Sequence, residues 1–183
     1  MHAYQGNFYI ARNGSSSGTS VLYCSTDNYW RVSTRMYGAV WNDYAEARKG
    51  ETNEGGRAVY DTPEGIMKIT TERMQAGARL ISDTYGFLVG ESEDAHTPIG
   101  VGGRVLAFPY QDRNNYKIGD AVCAAPNGTV DIMTREEIKE YPDRIIGIVS
   151  EIPDYEIWEN KLAGGGRGSA SVEVCGRIWI YVR

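Results

Sequence analysis

Residues 37–51, YGAVWNDYAEARKGE, bring two carboxylates close to one peptide bond: Asp43 follows Asn42 directly, and Glu46 comes three residues later. A carboxyl on the C-terminal side of a bond can protonate the departing amine or polarise water. Glu46 can act as a general base where burial raises its pKa, and Tyr37, Trp41 and Tyr44 are the apolar residues at hand to bury it. Asn42 offers a second route, because its side-chain amide can attack its own carbonyl, leaving a succinimide and a cut chain. The same residues also have a purely structural reading. Asp at an N-cap with Glu at N3 is a capping-box variant, and YAEARK running to Gly50 reads equally as a short helix or as a strand.

The remaining reactive groups point to little else. His2 and His96 with the scattered thiols Cys24, Cys123 and Cys175 are too few for a zinc site, and without a CxxC pair they read as structural thiols of a reducing compartment. No metal or cofactor is expected. ESEDAH (91–96) reads as a solvated acidic loop, since its carboxylates and His96 follow no metal-ligand spacing. AGGGRGSAS (163–171) lacks the Lys-Ser/Thr ending of a phosphate loop and reads as a surface linker. A net charge of −5 with no basic stripe argues against nucleic acid. No apolar run is long enough to span a bilayer and no signal-peptide pattern opens the chain, so membrane insertion is not expected.

These residues must be positioned by a β-rich chain. At 183 residues it is long enough for one core, and 22 glycines with 13 tyrosines favour turns and strands over helices. Up to residue 42, GNFYIAR, TSVLYCST and NYWRVSTRMYGAVW are short β-type runs separated by NGSSSG and TDN, which is turn chemistry. Residues 1–42 are too small to form a core alone. They read as an extended β arm needing partners, most economically other copies of the chain. Residues 43–183 read as a compact β domain: RAVYD, GIMKITT, GFLVGES and IGVGGRVLAFPY are strand-like, and Asn127–Gly128 lies between apolar runs as a type I′ hairpin signal. TREEIKEY is the one short helix, with Thr134 and Glu137 as a capping box and Pro142 as its stop. RIIGIVSEIP reads as a buried strand. VEVCGRIWIYVR reads as one closing strand with Val172, Val174, Ile178, Ile180 and Val182 on one face.

WNDYAEARKG, GRVLAFPYQDRNNYKIGDAVCAAPNG, DRIIGIVSEIP and VCGRIWIYV, in that order, resemble the C-terminal intramolecular chaperone domain of phage tail-spike, tail-fibre and neck-appendage proteins, the auto-cleaving peptidase G2 type. The resemblance covers about residues 40–183. It implies a module that helps three chains wind into a β-rich fibre and then releases itself by cutting before the Asp of its DYAE-like motif. Carried onto this sequence, the cut falls at Asn42–Asp43, with Asn42, Asp43 and Glu46 at the site and residues 1–42 as the end of the fibre body. The implied partners are two further copies of the chain and the upstream fibre, and the implied location is the virion, after synthesis in the host cytoplasm. One departure stands out. Family members carry Ser before the Asp where this chain has Asn42, so an N-to-O acyl shift through that residue is excluded. A second reading keeps the domain permanently at a fibre tip, where aromatic stretches such as NYWRV would stack on a host-surface glycan.

Overall fold

The computed structural model describes residues 43–159 and 171–183, and before them the backbone of four strands. Strand accounts for 47% and helix for 12%, so the chain is mainly β, as its composition predicts. It divides into two compact units, Met1–Gly38 and Ala39–Arg183. In the first, β1 (His2–Tyr4), β2 (Asn7–Ala11), β3 (Ser20–Cys24) and β4 (Trp30–Val32) pair in sequence order as an antiparallel meander. The stretches between these strands that read as turns, and the glycine-rich stretch 160–170 that reads as a linker, lie outside the described residues.

The second unit is built on a seven-stranded sheet. Its strands are β5 (Asp43–Arg48), β9 (Tyr85–Val89), β10 (Thr97–Ala107), β11 (Ala121–Ala125), β12 (Thr129–Ile132), β13 (Gly147–Glu151) and β16 (Ile178–Val182). Their order is β12-β11-β13-β16-β10-β5-β9, antiparallel except where β5 runs parallel to β9. A three-stranded sheet, in the order β7 (Met67–Ile69), β6 (Ala58–Asp61), β8 (Ala78–Leu80), contributes to the main core. That core joins Ala58 and Leu80 to Val105, Val122, Val130, Val149, Ile178 and Ile180. Burying each large aliphatic side chain contributes about 1.5–3 kcal/mol.

Central position explains the composition of β16. Ile178 and Ile180 face the main core, while Trp179, between them in sequence, faces the other way into a second cluster with Leu106 and Val174. That cluster is covered by Tyr155, Trp158 and Val172. Trp158 and Val172 belong to the two-stranded sheet of β14 (Ile157–Glu159) and β15 (Ser171–Glu173). A strand with both faces covered needs apolar residues at every position, which is why IWI carries no alternation.

Local signals hold where they are strongest. The single α-helix among the described residues, α1 (Arg135–Glu140), has both halves of the Thr134–Glu137 capping box, and Pro142 opens the 3₁₀ turn that follows its Tyr141 C-cap. Asn127 and Gly128 both take positive φ between β11 and β12, as a hairpin turn of that hand requires. Ala125 pairs with Thr129, so the loop holds three residues, one more than a two-residue type I′ turn. The expected single strand from Val172 to Val182 is corrected. Cys175 (φ 51°) and Gly176 (φ 75°) turn the chain, so β15 and β16 lie in different sheets. No helix among the described residues is long and apolar enough to cross a membrane.

Candidate functional site

DYAEAR is a strand, and this removes the reading of Asp43 and Glu46 as a helix cap. Along β5 the side chains alternate: Asp43, Ala45 and Ala47 are buried, while Tyr44 and Glu46 are exposed. Residues three apart on a strand leave opposite faces. The two carboxylates predicted to act together are therefore not brought together within one chain. Burial falls on Asp43 rather than on Glu46, and Tyr44, expected to help bury a carboxylate, is 60% exposed. Asn42, Tyr37 and Trp41 lie outside the described residues.

Asp43 is 4% exposed and sits where both neighbouring ladders are irregular. The pairing with β9 shifts register between Asp43 and Tyr44, and the pairing with β10 shifts between Gly100 and Gly102. Such bulges re-aim side chains and are frequent beside functional sites. Room for the carboxyl comes from Gly100. A Cβ there would lie 3.6 Å from Asp43 Oδ2 and 2.8 Å from Val105 Cγ2.

A hydroxyl reaches the carboxyl from the bend at Ser82–Thr84, just before β9. Thr84 Oγ1 donates to Asp43 Oδ1 across 3.2 Å. Ser82 and Thr84 are fully buried. Ser82 Oγ accepts from the Thr84 backbone N–H at 3.1 Å and lies 3.4 Å from Thr84 Oγ1. The bend is anchored to β10 by the Ser82 N–H, which donates to the Pro98 carbonyl at 2.8 Å, and by the Ile81–Ile99 bridge.

Asp43 Oδ2 is buried with no hydrogen-bond partner. Burial raises the pKa of Asp43 to about 6; the Ser82 and Thr84 hydroxyls pull it down and the charge of Asp83 adds to the rise. A carboxyl titrating near neutrality can carry a proton in either direction at working pH, which is the property expected of an acid–base group.

Asp83, between the two hydroxyl residues, points elsewhere. Its Oδ2 accepts from Arg177 Nη1 at 2.8 Å. Arg177 is itself buried and also donates to the carbonyls of Gly55, Glu173 and Val174. Asn53, Ser82, Asp83, Tyr85, His96 and Pro98 line a shallow cleft. Glu91, Glu93 and Asp94 of the acidic loop are exposed, and no three His, Cys, Asp or Glu side chains gather as metal ligands among the described residues. Cys123 is buried, its thiol pKa raised mainly by that burial, and Cys175 is exposed; both are free.

Ser82 and Thr84 are not among the site residues predicted from the sequence. Their signal was polar SDT set between the apolar pair Leu80–Ile81 and the strand YGFLV, where polar side chains need a buried partner. No protein-family model, curated protein or solved structure matches this chain.

Proposed function

We propose that residues 43–183 are the C-terminal folding and trimerisation module of a phage tail-fibre or appendage protein, with self-cleavage at Asn42–Asp43. One observation carries the cleavage reading. The residue that supplies the nitrogen of that bond holds a buried carboxyl with an unpartnered oxygen and a pKa near neutrality. Such a group works against folding at neutral pH, and perturbed carboxyls of this kind cluster at functional sites. The ordered motifs WNDYAEARKG, GDAV and GIVS support the module reading.

The physical logic of such a module is topological. A long β-fibre of three chains has high contact order, and its strands must enter in register. A compact domain that trimerises first holds the upstream segments at high effective concentration. Cleavage afterwards removes the template, so the assembled fibre is kinetically trapped. Intact mass of the purified chain, beside Asp43→Ala and Glu46→Gln, tests the cut. The expected result is a fragment beginning at Asp43 in the wild type and loss of it in Asp43→Ala. Sedimentation tests the module; a monomer at micromolar concentration contradicts it.

A second reading, a retained fibre-tip domain that binds a host-surface glycan, draws on the shallow cleft formed by Tyr155, Ile157, Trp158 and Glu159. Aromatic faces beside a carboxylate suit the apolar face and hydroxyls of a sugar. Binding on a glycan array that is lost in Trp158→Ala supports this reading, and silence across the array contradicts it.

A further inference from the structure

We infer that the start of β5 is a proton-operated latch: a neutral Asp43 side chain closes Asp43 and Tyr44 into the sheet, and its ionisation releases them while the rest of the sheet stays folded. This device goes beyond self-cleavage and stands whether or not the chain cuts itself. In sequence it lies just past the boundary between the two compact units, which falls between Gly38 and Ala39.

The surroundings of the Asp43 carboxyl suit its neutral form. Oδ1 accepts from Thr84 Oγ1 at 3.2 Å, and Oδ2 is buried with no partner. The neighbouring elements bring no compensating charge. From Thr97 to Gly103, β10 pairs with β5 and carries no charged residue before Arg104. Its neighbour β8 buries Leu80 and leaves Arg79 exposed. On the other side, β9 places Tyr85 opposite Asp43. The bend before β9 adds Asp83, a like charge whose own Oδ2 accepts from Arg177 Nη1 at 2.8 Å. On β5 itself, Glu46 leaves by the opposite face. A carboxylate at this position has lost water without gaining a cation, so ionisation drives it outwards.

The strand start is the part of β5 free to follow it. Asp43 pairs with Gly103 and Tyr85, and both ladders shift register beside it. Across from it runs Gly100-Val101-Gly102-Gly103, where Val101 is exposed and a Cβ on Gly102 would meet nothing within 4 Å. Tyr44 is exposed as well. Beyond it the strand is anchored. Ala45 and Ala47 are buried, Arg48 Nη2 donates to Asp61 Oδ1 at 2.8 Å, and the Met67 N–H donates to the Lys49 carbonyl at 2.8 Å. The latch therefore ends between Tyr44 and Ala45, as a local opening that leaves the buried alanines in place.

Burial holds the Asp43 pKa at about 6 in the closed strand, and release returns it to the ordinary 3.8. The closed state is fully favoured below about pH 4, loses ground as pH rises towards 6 and levels off above it.

Residue-resolved amide exchange on the intact chain from pH 4 to pH 8, corrected for intrinsic rates and repeated in sub-denaturing urea, tests the latch. Protection at Asp43 and Tyr44 is expected to fall about 100-fold between pH 4 and pH 6, to level off above, and to ignore urea. The β16 amides of Ile178–Val182 are expected to stay more protected and to lose protection in urea. Asp43→Asn should keep the strand start protected at every pH. His96→Gln, altering the histidine that lines the shallow cleft with Asp83, should leave the wild-type profile intact. A flat profile at Asp43 and Tyr44 overturns the latch. So does one matching β16 in size and urea dependence, because the proton then acts on the whole fold. A wild-type profile that persists in Asp43→Asn overturns the role of Asp43. Should Asp43→Asn fail to fold by near-UV circular dichroism, Thr84→Val decides: loss of the hydroxyl on Oδ1 is expected to move the plateau above pH 6, and an unmoved plateau overturns the inference.

Discussion

The Thr84 hydroxyl donates to Asp43 Oδ1 across 3.2 Å, while Oδ2 of the same carboxyl is buried with no partner. One oxygen is held and the other is left dry. The carboxylate form of Asp43 is therefore under-solvated in the folded chain, and the protonated form is the one that the pocket suits.

Stability depends on pH through that mismatch. The pKa of Asp43 is about 6 in the folded chain against an ordinary value of 3.8, so folding binds a proton between those values. The stability that the protonated form brings is fully present below about pH 4 and is lost as pH rises through 6. A rise of that size corresponds to about 3 kcal/mol at most. Asp43→Asn is expected to raise the unfolding free energy by about 1–3 kcal/mol at pH 7.5, with the gain shrinking towards zero at pH 4. Urea denaturation at the two pH values checks this, and an equal gain at both would sink the assignment.

The rate of self-cleavage should follow the same group with the opposite sense. Asp43 polarises an attacking water only as a carboxylate, so the rate is expected to fall about tenfold per unit below pH 6 and to level off above it. Time courses of fragment appearance from pH 5 to pH 8 measure this. A profile still climbing steeply from 7 to 8 contradicts a base of that pKa.

At lower pH a different pair takes over. Arg73 holds Glu137 through both carboxylate oxygens and Asp131 Oδ2 at 2.7 Å, tying α1 to β12. The hydrogen bond from Arg73, helped by the Thr134 N–H, pulls the Glu137 pKa down to about 2. Because this pKa is depressed, the stability it brings is present above about pH 4.5 and is lost as pH falls towards 2. Partial exposure and solvent screening keep the contribution to about 1 kcal/mol. Glu137→Gln is expected to flatten the acid limb of stability against pH, measured by thermal unfolding between pH 2 and pH 5.

Among the described residues Arg177 is the most connected buried charge, bonded to Asp83 and to the carbonyls of Gly55, Glu173 and Val174, with its guanidinium over the Phe108 ring. Arg177→Met strands Asp83 and frees those carbonyls, which is expected to cost about 3 kcal/mol. Arg177→Lys should lose most of that as well, because an ammonium cannot reproduce a planar fork with several fixed donors. Denaturant midpoints compare the two, and a fully stable Arg177→Lys chain would contradict this account.

Crowding tests the pocket wall. A methyl group in Gly100→Ala would press on Val105 Cγ2 at 2.8 Å and approach Asp43 Oδ2. The expected outcome is a loss of about 1–3 kcal/mol together with a displaced Asp43 titration. NMR titration of the carboxyl reads the second effect, and an unmoved pKa with full stability would contradict the packing described.

Features that depend on near neighbours were legible in the residues alone. Alternation in DYAEAR allowed a strand, Thr134 and Glu137 close a capping box within one turn, and Asn127–Gly128 adopt the positive φ of a hairpin. What needed the folded chain was which carboxylate is buried and what meets it. The alternation separates Asp43 from Glu46, but which set faces the core is decided by pairing with β10 and β9. Thr84 reaches Asp43 across a separation of 41 residues, and no local signal marks the pair. The break at Cys175–Gly176 was hidden for a related reason: a cysteine at φ 51° is a backbone state that its surroundings impose and its own type does not favour. Caps and turns are short-range and written in residue type, whereas burial and convergence arise only when distant strands take their places in the sheet.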